Sequence, residues 1–363
     1  MRLFLFFIII AQFVFAQDSI SDERAIEIKP KFGFLAAHRG TMGHLYKDRV
    51  FGAEITFSKR IMSSKNWAKM YKNPFVGCTL YGSNLGNNEI LGFGFGVYGF
   101  VEFPFVNKKA HIVSAKISAG LGYVSKVFDP ITNNKNVAIS TPINALLCFG
   151  LQGRWKFTPE NALIYSFDVT HFSNASTKVP NLGLNMPFIG IGYAHNIAGT
   201  KKQYSTPITI NQTPFFKNWN FHLVGIISKK AVFPTGGKDY PVYAINSFFS
   251  KRFKQKVGME FGFDFISKQS LFRYKAYIPK TQWSIFQVGT YAAYVLPFDK
   301  LKIILGMGAY LKDRYDADNE IYHRVGMRYQ CDNGLLLNMV LKSHWAKADY
   351  AEWGIGYTFN YKK

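Results

Sequence analysis

The sequence is short of acidic residues, of cysteine and of long apolar runs, and each shortage excludes something. Beyond the first 16 residues no stretch of about 18 apolar residues occurs, so a membrane-spanning helix is excluded from the rest of the chain. The three cysteines, Cys78, Cys148 and Cys331, lie far apart and form no C-x-x-C pair. Metal and redox chemistry therefore have little support, and the three read as free thiols packed in strands. Asp and Glu together number 22 against 44 Lys and Arg, a formal net charge of +22. A strongly basic chain is often a nucleic-acid binder, but this one opens with MRLFLFFIIIAQFVFA. One arginine, an apolar stretch, and Val14 and Ala16 at the small-residue positions read as a secretory signal over 1–16, cleaved before Gln17. An exported chain meets little nucleic acid, and an anionic membrane surface is the better partner.

What is present is aromatic residues, at 17%, and 31 glycines against 14 prolines, a mixture that suits sheet with tight turns. Period-two segments recur throughout. In HIVSAKISAGLGY one side carries Val113, Ala115, Ile117, Leu121 and Tyr123, and the other Ser114, Lys116, Ser118, Gly120 and Gly122. In WGIGYTFNY the apolar set is Trp353, Ile355, Tyr357, Phe359 and Tyr361. A soluble sandwich also alternates. The export signal, the many strands of about ten residues with polar connections, and the aromatics at strand ends together predict an outer-membrane β-barrel with apolar side chains toward lipid and polar ones inside. Closure satisfies every backbone group in a medium without water.

Strands are expected near 26–38, 49–59, 75–84, 91–103, 111–124, 142–156, 162–173 and 187–198, and again near 219–231, 241–252, 256–267, 284–297, 300–311, 320–331, 335–345 and 351–361. FSKR ends the second strand of each set (57–60 and 249–252), and GIGY falls in the eighth of each (190–193 and 354–357). Matching order and strand number point to an internal duplication. The expected organisation is an all-β, antiparallel transmembrane barrel protein: signal 1–16, an eight-stranded barrel over 17–200, a linker over 201–218, and a second, degenerate repeat over 219–363. Two barrels are favoured over one of sixteen strands, because the linker is long and each half can close. GFGFGVYGF at 92–100 superficially resembles a dinucleotide-binding glycine pattern, but its spacing is wrong and no helix follows. Gly92, Gly94 and Gly96 are instead expected to share one strand face and make room inside a narrow barrel.

The informative stretch is YSFDVTHFSNASTKVPNLGLN, 165–185. His171 and Ser173 continue the face of Tyr165, Phe167 and Val169, whereas Ser166, Asp168 and Thr170 occupy the other. In a barrel that starts in the periplasm the seventh strand runs outward, which places the pair facing lipid at the depth of the outer leaflet. Residues i and i+2 share a face, so His171 can take the proton of Ser173 as it attacks an ester. An imidazole facing hydrocarbon is costly without a partner or a purpose.

HFSNASTKVPNLGLN resembles the active-site segment of the lipid A 3-O-deacylase family, eight-stranded outer-membrane esterases, in its H-x-S-N, following basic residue and P-N-x-G. The resemblance covers 171–185 strongly and about 26–198 loosely through strand number and length. It implies His171 as base, Ser173 as nucleophile and Asn174 as a contributor to the oxyanion site. The family places a glutamate two residues after the glycine that is Gly183 here. This chain has Asn185, with no Asp or Glu between His171 and Thr200. An asparagine can orient an imidazole, though it stabilises the imidazolium less than a carboxylate does. H-x-S-N with an asparagine fourteen residues after the histidine is also similar to outer-membrane phospholipase A, whose triad uses asparagine and whose activity depends on calcium and dimerisation. The P-N-x-G stretch, Lys178 and the eight-strand first half favour the deacylase.

The expected activity is removal of an ester-linked acyl chain from lipid A, with lipopolysaccharide as partner and no cofactor required by the mechanism. Arg39, Lys47 and Lys178 are candidate contacts for the lipid phosphates. The competing class is a non-catalytic pore or structural barrel. The second half supports it by contrast: MVLKSHWAKADYAEWGIGY sets Ser343 and Trp345 where the first half has His171 and Ser173, puts His344 on the face of Lys342 and Asn338, and shortens the following loop.

Overall fold

The computed structural model describes residues 23–62, 66–197, 219–254, 256–274, 279–314, 319–345 and 347–359, so the expected signal at 1–16 and linker at 201–218 lie outside it. Along the first strand Glu27, Lys29 and Lys31 are buried while Ile26, Ile28 and Phe32 are exposed, the inverse of a water-soluble sheet. The strands of the first unit are β1 (Arg24–Gly33), β2 (Val50–Arg60), β3 (Phe75–Asn84), β4 (Phe93–Asn107), β5 (His111–Val124), β6 (Ile143–Lys156), β7 (Asn161–Ser173) and β8 (Leu184–Asn196). Each pairs antiparallel with its neighbours in sequence, and β1 closes the ring onto β8 with Ile28 opposite Tyr193. The second unit comprises β9 (Asn220–Ala231), β10 (Asp239–Lys254), β11 (Val257–Lys268), β12 (Phe286–Phe298), β13 (Leu301–Lys312), β14 (Ile321–Gln330), β15 (Leu335–His344) and β16 (Lys347–Phe359). It closes through β16 and β9, with Ile355 opposite Gly225. The protein is thus all-β with two closed antiparallel eight-stranded barrels, and the sixteen-stranded alternative is set aside. Closure removes every open edge.

Eight strands leave an interior only wide enough for side chains. In the first barrel its middle is ionic. Lys31 Nζ lies 2.7 Å from Glu54 and 2.5 Å from Asp168, and Arg154 bridges Glu27 at 2.8 Å and also Glu102. Charges withdrawn from water need close partners to offset desolvation, and these strands bring such partners from across the barrel. The second barrel repeats the device: Arg324 bridges Asp264 and Glu352 at 2.5 Å each, and Lys268 reaches Asp349 at 2.8 Å. Above the ionic zone of the first barrel, toward the end of β7 that carries Ser173, the interior turns apolar. Leu35, Met42, Leu45, Leu146, Phe172, Leu184, Met186 and Phe188 form one buried cluster. Met42 and Leu45 enter it from a short 3-10 helix, Gly40–Leu45, in the β1–β2 connection.

The outer faces carry Ile55, Leu80, Phe95, Phe149, Leu151, Phe167, Ile189 and Ile191 in the first barrel and Ile227, Ile245, Phe263, Leu305, Met307 and Ile355 in the second, all exposed. Soluble proteins do not show such continuous apolar surface; a barrel facing hydrocarbon does. Aromatic and amide side chains gather where β7 begins: Tyr165 stacks on His111, Phe157 lies against Tyr193, and His195 Nδ1 sits 3.0 Å from Asn161 Oδ1. This is the girdle expected at one interface.

Four boundaries depart from the sequence pattern by three residues or more, one being the end of β4, which runs to Asn107 rather than 103. β8 starts at Leu184 rather than 187, because Leu184 and Met186 turn into the apolar cluster and draw Asn185 into the ladder. β1 ends at Gly33, after which residues 34–36 are tied to β8 by only two backbone hydrogen bonds. β16 begins at Lys347, four residues before the expected 351. Tyr361, read as part of its outer face, lies outside the described residues. Of the three glycines expected on one strand face, Gly94 and Gly96 do make room, a Cβ there falling 3.1 Å from Phe172 and 2.3 Å from Leu146. Gly92 instead precedes β4 with φ +68°, a left-handed turn position. The cysteines are free.

Candidate active site

β7 alternates so that Ser166, Asp168, Thr170 and Phe172 point inward and Tyr165, Phe167, Val169, His171 and Ser173 outward. The partners of His171 in the sheet are Leu147 on β6 and Asn185 on β8, while Ser173 lies opposite Ala145. Directly opposed side chains in an antiparallel pair stand about 5 Å apart at Cβ. The register alone therefore delivers Asn185 to His171, whose Nδ1 donates to Asn185 Oδ1 at 2.6 Å.

The connection 174–183 supplies the rest. The backbone N–H of Asn174 donates to Asn181 Oδ1 at 3.1 Å, which turns the other end of that amide outward so that Nδ2 donates to Ser173 Oγ at 3.0 Å. Gly183, with φ +79°, reverses the chain beneath the imidazole, where a Cβ would fall 2.8 Å from His171 Cε1. Its N–H is held by Ala138 O at 3.0 Å. The side chain of Asn174 is buried, and its amide nitrogen donates 3.1 Å to buried Ser140 Oγ. From the β1–β2 connection, His38 Nδ1 lies 3.0 Å from Asn185 Nδ2.

His171, Ser173 and Asn185 are thus assembled on one outward face. The arrangement can hold an imidazole with Nδ1 protonated and Nε2 available as a base, beside a hydroxyl that already accepts one hydrogen bond. Arg39 and Lys178 are exposed in their connections. Lys47 is exposed too and pairs with Glu89 at 3.0 Å, its hydrogen bond and charge holding the Glu89 carboxyl below the ordinary range. Asn181 and His38 were not singled out by sequence. Asn181 had a signal, since it is the N of P-N-x-G; His38 had none. Glu54, Cys148 and Asp168 lie close enough together to hold a metal ion, but the Lys31 ammonium already sits among them as the neutralising cation.

Comparison with known proteins identifies the family. Residues 51–194, which contain His171, Ser173, Asn181 and Asn185, match the family described as Lipid A 3-O-deacylase (PagL). Residues 218–361 match the family described as Acyloxyacyl hydrolase, C-terminal domain. No curated protein matches the chain. Similar solved structures include Neisserial surface protein A, 10% identical over 48% of this chain and 96% of that one, with a TM-score of 0.33. A triple mutant of the Rhodopseudomonas blastica porin is 9% identical over 93% of this chain and 100% of its own, with a TM-score of 0.18. The chain, an all-β protein of two closed barrels, belongs to the lipid A 3-O-deacylase family.

Proposed function

We propose that this protein is an outer-membrane esterase that removes an ester-linked acyl chain from lipid A in the outer leaflet, with Ser173 as nucleophile and His171 as base. The observation that carries the reading is the His171–Asn185 hydrogen bond of 2.6 Å, on the same outward face as a serine whose Oγ is held by Asn181. With its Nδ1 proton committed to Asn185, the imidazole offers Nε2 to the Ser173 proton. Ser173 Oγ bonds to the ester carbonyl carbon, and the carbonyl oxygen becomes an oxyanion. As Oγ bonds to carbon, the Asn181 amide, which donates to Ser173 Oγ at 3.0 Å before attack, turns an N–H to the new oxyanion beside it. Collapse expels the sugar alkoxide, which takes the proton from His171. Water then hydrolyses the acyl-enzyme by the same base, releasing the fatty acid.

Asn174 enters this scheme through its backbone N–H, which orients Asn181, rather than through its side chain. The exposed charges of Arg39, Lys47 and Lys178 serve the lipid phosphates, Lys47 exchanging Glu89 for them. The second barrel is proposed to be inert in chemistry. No nucleic acid has a place in the scheme.

The test is to incubate purified protein and its Ser173→Ala variant with lipid A and look by mass spectrometry for loss of one acyl chain. Equal product profiles reject the esterase. Asn185 in third place also suits phospholipid hydrolysis, and the same pair of proteins assayed on phospholipid vesicles with and without calcium decides between the substrates.

A further inference from the structure

We propose that His38 is a positioning residue that fixes which way the Asn185 amide points and thereby which nitrogen of His171 carries the proton; the inference rests on the esterase reading above. A carboxylate beside the base presents an acceptor whichever way it turns. An amide has two unlike ends. With Oδ1 toward His171, the imidazole is protonated at Nδ1 and basic at Nε2. Rotated by half a turn, Nδ2 would face His171, Nδ1 would have to accept, and the proton would sit on Nε2, where the serine proton must go.

The first orientation is the one present: Oδ1 lies 2.6 Å from His171 Nδ1 and Nδ2 lies 3.0 Å from His38 Nδ1. His38 accepts there when its own proton is on Nε2, and its exposed ring can give that proton to water. The donors then run in one sense. Asn174 N–H gives to Asn181, and Asn181 to Ser173. Ser173 gives to His171 in the proposed step, His171 to Asn185, and Asn185 to His38. The chain begins at a backbone N–H that can only donate, and it needs an acceptor at its far end. His38 is that acceptor.

Its placement is built into the fold. Ala36 N–H donates to Asn185 O at 2.8 Å, two residues before His38, and Met42 and Leu45, a few residues after it, are buried in the apolar cluster. The segment is thus pinned on both sides of the imidazole.

The experiment is a cycle in the full-length protein: His38→Ala, Asn185→Glu and the double variant, each shown to be folded by its gel mobility before and after heating and assayed on lipid A. We expect His38→Ala to lower kcat about tenfold or more with little change in KM, since an imidazole in the wrong tautomer cannot act as base. In the Asn185→Glu background the same change should alter kcat less than about twofold, because a carboxylate has no wrong end. An equal loss in both backgrounds means that His38 merely supports its loop, and no loss in the parent protein overturns the proposal outright. Nitrogen-15 spectra of histidine-labelled protein decide independently of turnover. His171 should be protonated at Nδ1 in the parent and mixed in His38→Ala, and an unchanged tautomer refutes the role. A parent protein with the expected tautomers but no deacylation would sink the esterase and leave the tautomer result standing.

Discussion

At the scale of single residues, two asparagines near Ser173 make different contacts, and under the proposed mechanism adjacency does not decide which one acts. Asn174 follows Ser173 directly, yet its amide nitrogen donates to buried Ser140, while Asn181, eight residues beyond Ser173, reaches the serine oxygen. Asn181→Ala should therefore lower kcat by roughly 10²–10³ with little effect on KM, the usual cost of one oxyanion donor. Asn174→Ala, which keeps the backbone N–H, should cost markedly less. Kinetics showing the opposite order would return the oxyanion role to Asn174. The third position makes a separate prediction. Asn185 can orient the imidazole but cannot neutralise the imidazolium that forms as Ser173 attacks, so Asn185→Glu should raise kcat about tenfold or more. A fall in kcat in a folded Asn185→Glu variant would show the site to be adapted to the amide.

At the scale of elements, what could be read from sequence is what one strand decides alone. The two faces of β7 follow from alternation, so the outward aim of His171 and Ser173 was legible before any coordinates. So was Asn185, because the recognisable segment carries it. His38 was not, since its contact with Asn185 joins residues 147 apart and exists only because β1 closes the barrel onto β8. The apolar cluster was equally hidden. Phe172 follows three polar inward residues on its face, and only the assembled ring shows that Leu146, Leu184 and Met186 meet it. The strand face makes a prediction of its own. Phe167 is the midpoint of β7 and points outward with 59% exposure. Phe167→Arg should destabilise the protein by roughly 2–4 kcal/mol in lipid vesicles, the cost of a cation at the bilayer midplane. A neutral result in urea titrations would mean that this face does not meet hydrocarbon. The connection after β7 predicts a different kind of loss. Gly183→Ala adds a Cβ against the imidazole at a left-handed backbone position, so activity should fall well before heat-resistant gel mobility does.

At the scale of the whole molecule, the two barrels share a plan but not a site. Each has eight strands, its own closing ladder and its own ionic interior. Where β7 presents an imidazole and a hydroxyl outward, β15 presents Ser343, and its His344 is buried against Asp349 at 3.4 Å. The connection that carries Asn181 and Gly183 in the first barrel is cut to two residues between His344 and Lys347. Among the described residues the second barrel therefore has no counterpart of His171 or Asn181 at this position. Because closure and core are internal to each half, chains of residues 17–200 and 219–363 should each refold in detergent and migrate differently before and after heating. Only the first should release fatty acid from lipid A. Deacylation by the folded second chain would mean that its chemistry uses other residues, and a folded but inactive first chain would mean that the site above is incomplete without the second half.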